Sequence, residues 1–282
     1  MATKHTVRFE PIGLEIEAEE GEYLLDEAFR QGVMLMHGCK EGQCSACKAF
    51  VAEGDAEMEK YSTFALPESE SDEGYVLLCR TKAYSDLEIE IDNFDEHMLE
   101  SGIPIQTAET MVSEISMLTH DIRRLVLKLV DPPEFSWITG QYAEITIPGT
   151  DETRSYSISN IGTAVPAART DELEFMIKLY EGGKMSTLFM EGDIKLGDRL
   201  QVKGPYGTFT LREDSDNDMI FIGGGAGMGP LWALLQYMDQ TGIDRKVTFY
   251  YGARKVTDLF YLDKMREISQ RLPGFRFVPA LS

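Results

Sequence analysis

Four cysteines in the first 80 residues carry the clearest chemical signal in the chain. Cys39, Cys44 and Cys47 share one short segment, and Cys79 follows after a gap of 31 residues. This is the spacing of a plant-type [2Fe–2S] site, where three thiolates on one loop and a distant fourth hold two irons. Structural zinc is the competing interpretation, but zinc ligands usually come as two close pairs. Because Cys79 has no close partner in sequence, the spacing favours the iron–sulfur cluster.

A second candidate site is the segment Arg154-Ser155-Tyr156-Ser157, on a predicted strand. Taken alone, this pattern is typical of an ordinary strand edge with polar side chains. In a flavin site, Arg154 would bind the pyrophosphate with its forked guanidinium. Tyr156 would stack on the isoalloxazine ring, and Ser157 would hydrogen-bond N5, where hydride lands. These two residues are therefore the candidate catalytic residues.

Two glycine-rich turns are candidate phosphate sites. The first is Gly182-Gly183-Lys184-Met185-Ser186, which opens a predicted short helix, so its backbone N–H groups and the helix dipole suit a diphosphate. An ordinary turn and helix cap is the alternative for this segment.

The second turn, residues 223–230, lies between a predicted strand and a predicted helix, the context in which a glycine loop most often binds a nucleotide. Gly225, Gly227 and Pro230 are its candidate nucleotide-binding residues, although a structural turn remains the alternative. Arg254 ends the next predicted strand, where a ribose contact is expected. The neighbouring turn has no dense basic cluster for a 2′-phosphate, which favours NADH, but the adjacent Lys255 leaves NADPH open.

The elements that position these motifs change character along the chain. Residues 1–97 mix short alternating strands with a helix and predict a small α/β unit, and residues 98–110 lack periodicity and predict a linker. Strand signals recur at short intervals over residues 111–213, which predicts an antiparallel barrel. Residues 214–282 alternate strands and helices from a helix start at Pro230, which predicts a parallel sheet.

Composition excludes some classes of partner. The chain has 282 residues and a net charge of −21, with 24 acidic and 8 basic residues in the first hundred. Such a surface repels nucleic acid and anionic lipid, so neither is expected as a partner. No apolar run approaches the length of a membrane span, and no signal peptide is apparent, so a soluble cytoplasmic protein is expected. The acidic excess either serves solubility or docks the first hundred residues on a more basic protein.

The four motifs, in this order, resemble the ferredoxin–NAD(P)H reductase family, over essentially the whole chain. The closest resemblance is to the three-domain reductases of bacterial multicomponent monooxygenases, such as those acting on methane, propane, tetrahydrofuran and phenol. The resemblance implies a β-grasp ferredoxin, a six-stranded antiparallel flavin barrel and a parallel α/β nucleotide-binding domain. It also implies a [2Fe–2S] cluster, FAD and NADH as cofactors, and an oxygenase, of the di-iron hydroxylase type, as partner.

The family pattern assigns residues by motif. The four cysteines match the cluster ligands, and Arg154, Tyr156 and Ser157 match the R-x-Y-S flavin motif. Residues matching the flavin-pyrophosphate loop are Gly183, Lys184, Met185 and Ser186, and those matching the G-x-G-x-x-P nucleotide loop are Gly225, Gly227 and Pro230.

One departure concerns the C-terminal end. Family members usually carry Cys-Gly-Pro-Pro beside the nicotinamide, whereas no cysteine follows Cys79 here. The resemblance therefore implies a C-terminally truncated version with intact flavin and cluster sites and an incomplete nucleotide domain.

Three functions follow as hypotheses. The first is an enzyme that passes electrons from NADH through FAD and the cluster to a monooxygenase. The second is the reductase of a ring-hydroxylating dioxygenase, which composition does not distinguish from the first. The third is a non-enzymatic binding protein with structural zinc.

Overall fold

In the computed structural model, which describes residues 3–94, 99, 103–163 and 170–282, the chain divides into the units Met1–Ile105 and Gln106–Ser282. The first unit is built on a mixed five-stranded sheet of order β2-β1-β7-β3-β5. Its strands are β1 (Lys4–Glu10), β2 (Leu14–Glu19), β3 (Lys48–Glu53), β5 (Tyr75–Leu77) and β7 (Leu87–Glu90).

Strand alternation and one helix supply the core of this unit. Val7 and Phe9 of β1 are fully buried, because every second residue of a strand faces the same side. The helix α1 (Leu24–Arg30) buries Leu24 and Leu25 completely. Two further strands, β4 (Ala56–Met58) and β6 (Thr81–Ala83), pair antiparallel, and the short helix α2 (Glu68–Asp72) has no buried residue. The mixed α/β arrangement predicted for the first domain is confirmed.

The second unit begins with six antiparallel strands in the order β11-β10-β13-β8-β9-β12. They are β8 (Gln106–Met117), β9 (Ile122–Asp131), β10 (Tyr142–Thr146), β11 (Thr153–Ser157), β12 (Glu172–Lys178) and β13 (Arg199–Tyr206). The two end strands approach each other where Ile158 bridges to Phe175, which nearly closes the barrel. The helix α3 (Lys184–Glu191) precedes β13 in the chain, and the apolar interior of the barrel includes the fully buried Trp137. The six-stranded antiparallel barrel expected from the resemblance is confirmed.

The predicted linker differs from the structure at its C-terminal end. Four of its residues, 98 and 100–102, lie outside the described part of the chain, and β8 begins at Gln106. Thr110 interrupts the apolar alternation, yet it is fully buried and its hydroxyl donates a hydrogen bond of 2.7 Å to the carbonyl oxygen of Leu200. Pairing with β13 therefore places in a strand residues whose lack of periodicity had predicted a linker.

The rest of the second unit is a parallel sheet of order β14-β15-β16 with two helices. Its elements are β14 (Met219–Gly224), α4 (Met228–Thr241), β15 (Val247–Ala253), α5 (Leu262–Arg271) and β16 (Phe275–Leu281). The parallel α/β arrangement predicted for residues 214–282 is thus confirmed.

The two faces of this sheet differ. One side packs on the helices through buried aromatic residues such as Phe249, whereas Ile220 and Ile222 of β14 are 69% and 78% exposed. The helix α4 begins two residues before the predicted start at Pro230, because a first-turn residue needs no N–H partner within the helix. In the described part of the chain, no helix is both long and apolar enough to cross a membrane.

Candidate functional site

The four cysteines form two pairs in the first unit. A hydrogen bond joins the side chains of Cys47 and Cys79, which are both buried. A second one joins Cys39 and the exposed Cys44. Among the described residues, which include all four cysteines, no three Cys, His, Asp or Glu side chains converge as ligands of one ion. The four thiols are grouped instead as two interacting pairs.

Backbone N–H groups of the cysteine loop point at its sulfurs. The N–H groups of Glu41 and Gln43 donate to Cys39 Sγ at 3.3 and 3.2 Å, and that of Cys39 donates to Cys44 Sγ at 3.3 Å. Such bonds stabilise thiolates, the form in which cysteine binds metal.

Left-handed backbone conformations make this loop possible. Lys40, Gly42 and Ser45 have φ angles of 58°, 68° and 60°, which turn the chain tightly around the sulfurs. A Cβ on Gly38 would lie 2.9 Å from Cys44 Sγ, so a larger residue there would displace that sulfur. Glycine at this position therefore allows backbone and sulfur to lie close together.

The paired thiols affect each other's acidity. The hydrogen bond between Cys47 and Cys79 lowers the pKa of the Cys47 thiol and raises that of Cys79. Arg80, which follows Cys79, is fixed by a 3.0 Å ion pair with Glu59 and lies 4.7 Å from the centre of the Tyr23 ring. A cation is thereby held next to Cys79.

A second loop, residues 61–66, packs on the cysteine loop. The hydroxyl of Ser45 donates to the carbonyl oxygen of Ala65. Ala65 and Leu66 are buried, yet Phe64, which directly precedes them, is 98% exposed. Phe64 was not identified from the sequence, because nothing in its neighbourhood distinguishes an exposed phenylalanine from a core residue.

In the second unit, the two predicted flavin-binding cations, Arg154 and Lys184, both contact the carboxylate of Glu152. Arg154 of β11 lies 3.2 Å from Glu152 Oε2, and Lys184 donates a hydrogen bond to Glu152 Oε1. Lys184 is the first residue of helix α3 (Lys184–Glu191), whose N-cap is Gly183. The barrel strand and the glycine turn, 30 residues apart in sequence, therefore form a single cationic site at a helix N-terminus.

The other predicted flavin residues have different surroundings. Tyr156 packs against the barrel core, where burial raises its pKa to about 12, and Ser157 ends β11 in register with Tyr142. Met185 is buried in the barrel core, and the Ser186 hydroxyl oxygen accepts a 3.0 Å hydrogen bond from the N–H of Tyr180. Met185 and Ser186 therefore anchor the turn with their side chains.

Glu152 was not identified from the sequence, although a signal was present. Residues two apart on a strand point to the same face, and Glu152 and Arg154 have this spacing with opposite charges.

The third site lies at the carboxyl ends of the parallel strands. A cavity of about 350 Å³ is lined there by Gly225, Gly252 and Arg254 and, from the barrel, by Asp121 and Lys178. Open α/β sheets bind their ligands at this edge. The predicted Gly225 and Arg254 are thus brought together.

The glycines of this turn differ in what a side chain would meet. A Cβ on Gly224 would lie 2.8 Å from the carbonyl oxygen of Gly252, and Gly225 has a φ of 55°. Nothing lies within 4 Å of a Cβ built on Gly227, so that position is open. Pro230 lies in the first turn of α4, and neither it nor Gly227 lines the cavity.

Acidic residues missed from the sequence also line the cavity. Asp121 pairs with Lys178, and Asp258 lies 3.6 Å from the ring of His120. The cavity therefore contains carboxylates as well as the predicted Arg254.

Three protein families match successive parts of the chain. Residues 7–84 match a 2Fe-2S iron-sulfur cluster binding domain, residues 109–211 an oxidoreductase FAD-binding domain, and residues 221–282 an oxidoreductase NAD-binding domain. The cofactors expected from the sequence are thereby confirmed at the level of domain families.

Similarity to other proteins extends over nearly the whole of this chain. The chain is 50% identical over 282 residues to the reductase component of propane 2-monooxygenase from Mycolicibacterium smegmatis, spanning all of this chain and 79% of the relative. It is 37% identical over 279 residues to the reductase component DmpP of phenol 2-monooxygenase from Pseudomonas sp. strain CF600, spanning 99% and 76%. The crystal structure of the Amycolatopsis cytochrome P450 reductase GcoB matches with a TM-score of 0.82 and 29% identity, over 98% of this chain and 80% of GcoB.

Proposed function

This chain belongs to the family of flavin and iron–sulfur reductase components of bacterial oxygenases, and we propose that it supplies a multicomponent monooxygenase with electrons from NADH. In the proposed route, electrons pass through FAD and a [2Fe–2S] cluster to a di-iron hydroxylase. The 50% identity to a propane 2-monooxygenase reductase component supports the monooxygenase over a dioxygenase partner.

The observation that carries the proposal is that the four cysteines form two pairs and that backbone N–H groups donate hydrogen bonds to the sulfurs of Cys39 and Cys44. Two sulfurs for each of two metal atoms suit a [2Fe–2S] cluster, whereas one zinc ion needs all four around a single centre. The donors at Glu41, Gln43 and Cys39 match the need of a cluster for hydrogen bonds to its sulfurs. Cys39, Cys44, Cys47 and Cys79 are the proposed ligands.

The barrel residues fit FAD. Arg154 and Lys184 supply positive charge for a pyrophosphate beside the N–H groups at the start of α3, with Gly183 leaving the helix N-terminus accessible. Tyr156 offers an aromatic face for the isoalloxazine ring, and Ser157 is the proposed hydrogen-bond partner of flavin N5. The side chains of Met185 and Ser186 hold this turn in place.

The cavity at the edge of the parallel sheet fits a nicotinamide nucleotide. Gly225 and Gly227 allow close approach of a pyrophosphate, Pro230 fixes the start of α4, and Arg254 is placed for a ribose or phosphate contact. Asp121 and Asp258 would repel a 2′-phosphate, which supports NADH over NADPH.

The chemistry that the bound groups supply is hydride acceptance from NADH by FAD and one-electron relay by the cluster. The protein holds these groups in place and sets their potentials through hydrogen bonds and burial. Cys44 is the exposed member of the ligand set, so the face around it is the proposed exit for electrons. The acidic first hundred residues support docking of this face on a more basic oxygenase surface.

The test begins with the full chain, reconstituted anaerobically with iron, sulfide and FAD. We expect two irons and one FAD per chain, and flavin and [2Fe–2S] absorption bands that bleach with dithionite and with NADH. The reduced protein should then reduce the oxygenase component of the M. smegmatis propane 2-monooxygenase, at a rate that falls with increasing ionic strength. A colourless protein with stoichiometric zinc would contradict the proposal, and faster reduction of a ring-hydroxylating dioxygenase would identify that enzyme as partner.

A further inference from the structure

The carboxylate of Glu152 occupies the centre of the proposed flavin-pyrophosphate site. One of its oxygens contacts Lys184 and the other lies 3.2 Å from Arg154, so a single side chain joins the two cations. Ion pairing with Lys184 lowers the pKa of Glu152, and the carboxylate is therefore charged at neutral pH. All three side chains are between 43% and 58% exposed, so a ligand can reach them.

The charges make Glu152 an unfavourable neighbour for phosphate. Two cations at a helix N-terminus attract a pyrophosphate, but the carboxylate cancels one positive charge and lies where both cations point. A pyrophosphate that binds both Arg154 and Lys184 must take over the hydrogen bonds that Glu152 now accepts. Exposed ion pairs are weak in water, so this exchange is possible at modest cost.

We infer that Glu152 competes internally with the FAD pyrophosphate for Arg154 and Lys184, and thereby limits how tightly FAD binds. Without flavin, the carboxylate keeps the two cations together, and binding of FAD replaces it. Glu152 is thus a positioning residue that acts through the two cations. The inference rests on the proposed function, because it assumes that FAD binds at this site.

The test compares the wild-type chain with Glu152→Gln, which keeps the size of the side chain and removes its charge. FAD is removed from each reconstituted protein, and FAD affinity is measured by titration of flavin fluorescence. We expect FAD to bind Glu152→Gln about fivefold more tightly at low salt, the size expected for one nearby charge in water. The matched control is Asp151→Asn, which removes the same charge from the exposed neighbouring residue and should change the dissociation constant less than about twofold.

Salt dependence separates charge competition from a structural effect. Raising NaCl from roughly 0.01 M to roughly 1 M shortens the Debye length from about 30 Å to about 3 Å, so the difference between Glu152→Gln and wild type should largely disappear. Equal or weaker FAD binding by Glu152→Gln, an equal gain in Asp151→Asn, or a gain that persists in high salt would overturn the inference. If the wild-type protein failed to bind FAD under any condition, the proposed function itself would fail, and this inference with it.

Discussion

The backbone N–H of Ser62 donates a 2.9 Å hydrogen bond to the carbonyl oxygen of Gly42. This bond joins the loop that presents Phe64 to the loop that presents three of the four cysteines. The backbone that carries the exposed aromatic ring is thus tied to the cysteine loop, and the residues on the C-terminal side of Phe64 are buried. An exposed aromatic residue on a loop anchored in this way is well suited to contact a partner protein.

Replacing Phe64 with Ala should slow electron delivery to the oxygenase without altering the cofactors. Loss of a central aromatic contact typically costs 2 kcal/mol or more, so we expect the second-order rate of oxygenase reduction to fall about tenfold or more. The measurement is stopped-flow reduction of the oxygenase by dithionite-reduced protein. Flavin and cluster spectra should be unchanged.

Tyr84→Ala is the matched control for this prediction, since Tyr84 is another exposed aromatic residue of the first unit. Its loss should leave the rate within about twofold of wild type. An equal slowing by both substitutions would argue against a specific role for Phe64.

Removal of Cys79 should abolish the cluster and leave the flavin in place. Cys79→Ser leaves Cys47 without its sulfur partner, so the two-and-two ligand set is broken. We expect loss of the [2Fe–2S] absorption and of the EPR signal after reduction, with retention of FAD, since the barrel is a separate part of the chain. Oxygenase reduction should fall to background, and retention of a full complement of iron would show that Cys79 is not a ligand.

Substitution by alanine should affect stability at one glycine of the nucleotide turn and not at another. A Cβ at Gly224 would lie 2.8 Å from the carbonyl oxygen of Gly252 and push β14 away from β15, so Gly224→Ala should lower the free energy of unfolding by about 1–3 kcal/mol. Gly227 has space for a methyl group, so Gly227→Ala should change it by less than about 1 kcal/mol.

NAD⁺ affinity should provide a second test of Gly227. If Gly227 allows backbone to approach the pyrophosphate, Gly227→Ala should weaken NAD⁺ binding, measured by calorimetry, despite normal stability. Unchanged NAD⁺ affinity in a stable Gly227→Ala protein would place the pyrophosphate elsewhere.

Alkaline pH should destabilise the second unit through Tyr237. Burial, with a 2.6 Å hydrogen bond to Glu213, raises its pKa from 10.0 to about 12. Above pH 10 the unfolded chain loses the phenolic proton while the folded chain keeps it, so the folded state is progressively disfavoured. The stabilising effect is therefore present below pH 10 and disappears as pH rises through about 12.

Urea unfolding on both sides of this pH window provides the measurement. Tyr237→Phe removes the titrating group, so the variant should lose less stability than wild type as pH rises. Tyr250→Phe removes an exposed tyrosine and should follow the wild-type profile. A wild-type loss that Tyr237→Phe leaves undiminished would assign the alkaline transition to other groups.

Short motifs with a fixed chemical purpose were predictable from the sequence. The cysteine spacing and the glycine turn at the end of β14 are local patterns. The cysteine spacing favoured a [2Fe–2S] cluster over zinc, whereas the glycine turn alone left a structural turn as the alternative to a nucleotide site. The domain types followed from periodicity, since a change from closely spaced strands to alternating strands and helices marks the change from barrel to parallel sheet.

Features that depend on distant partners were not predictable. The strand character of residues 106–110 depends on β13, which lies about ninety residues further along the chain. Glu152 acquires its significance only when Lys184 is brought to it by folding, and Phe64 only when its loop binds Gly42. Local pattern contains none of these contacts, so sequence reasoning could at most note the charges of Glu152 and Arg154.

The exposed isoleucines of β14 have a practical consequence for purification and storage. This strand forms one end of the three-stranded sheet and presents Ile220 and Ile222 to solvent. The unpaired backbone groups of an edge strand can pair with those of another chain, and exposed apolar side chains strengthen the association. Concentrated solutions of the chain should therefore aggregate on storage. Ile222→Lys should reduce this aggregation without affecting either redox centre.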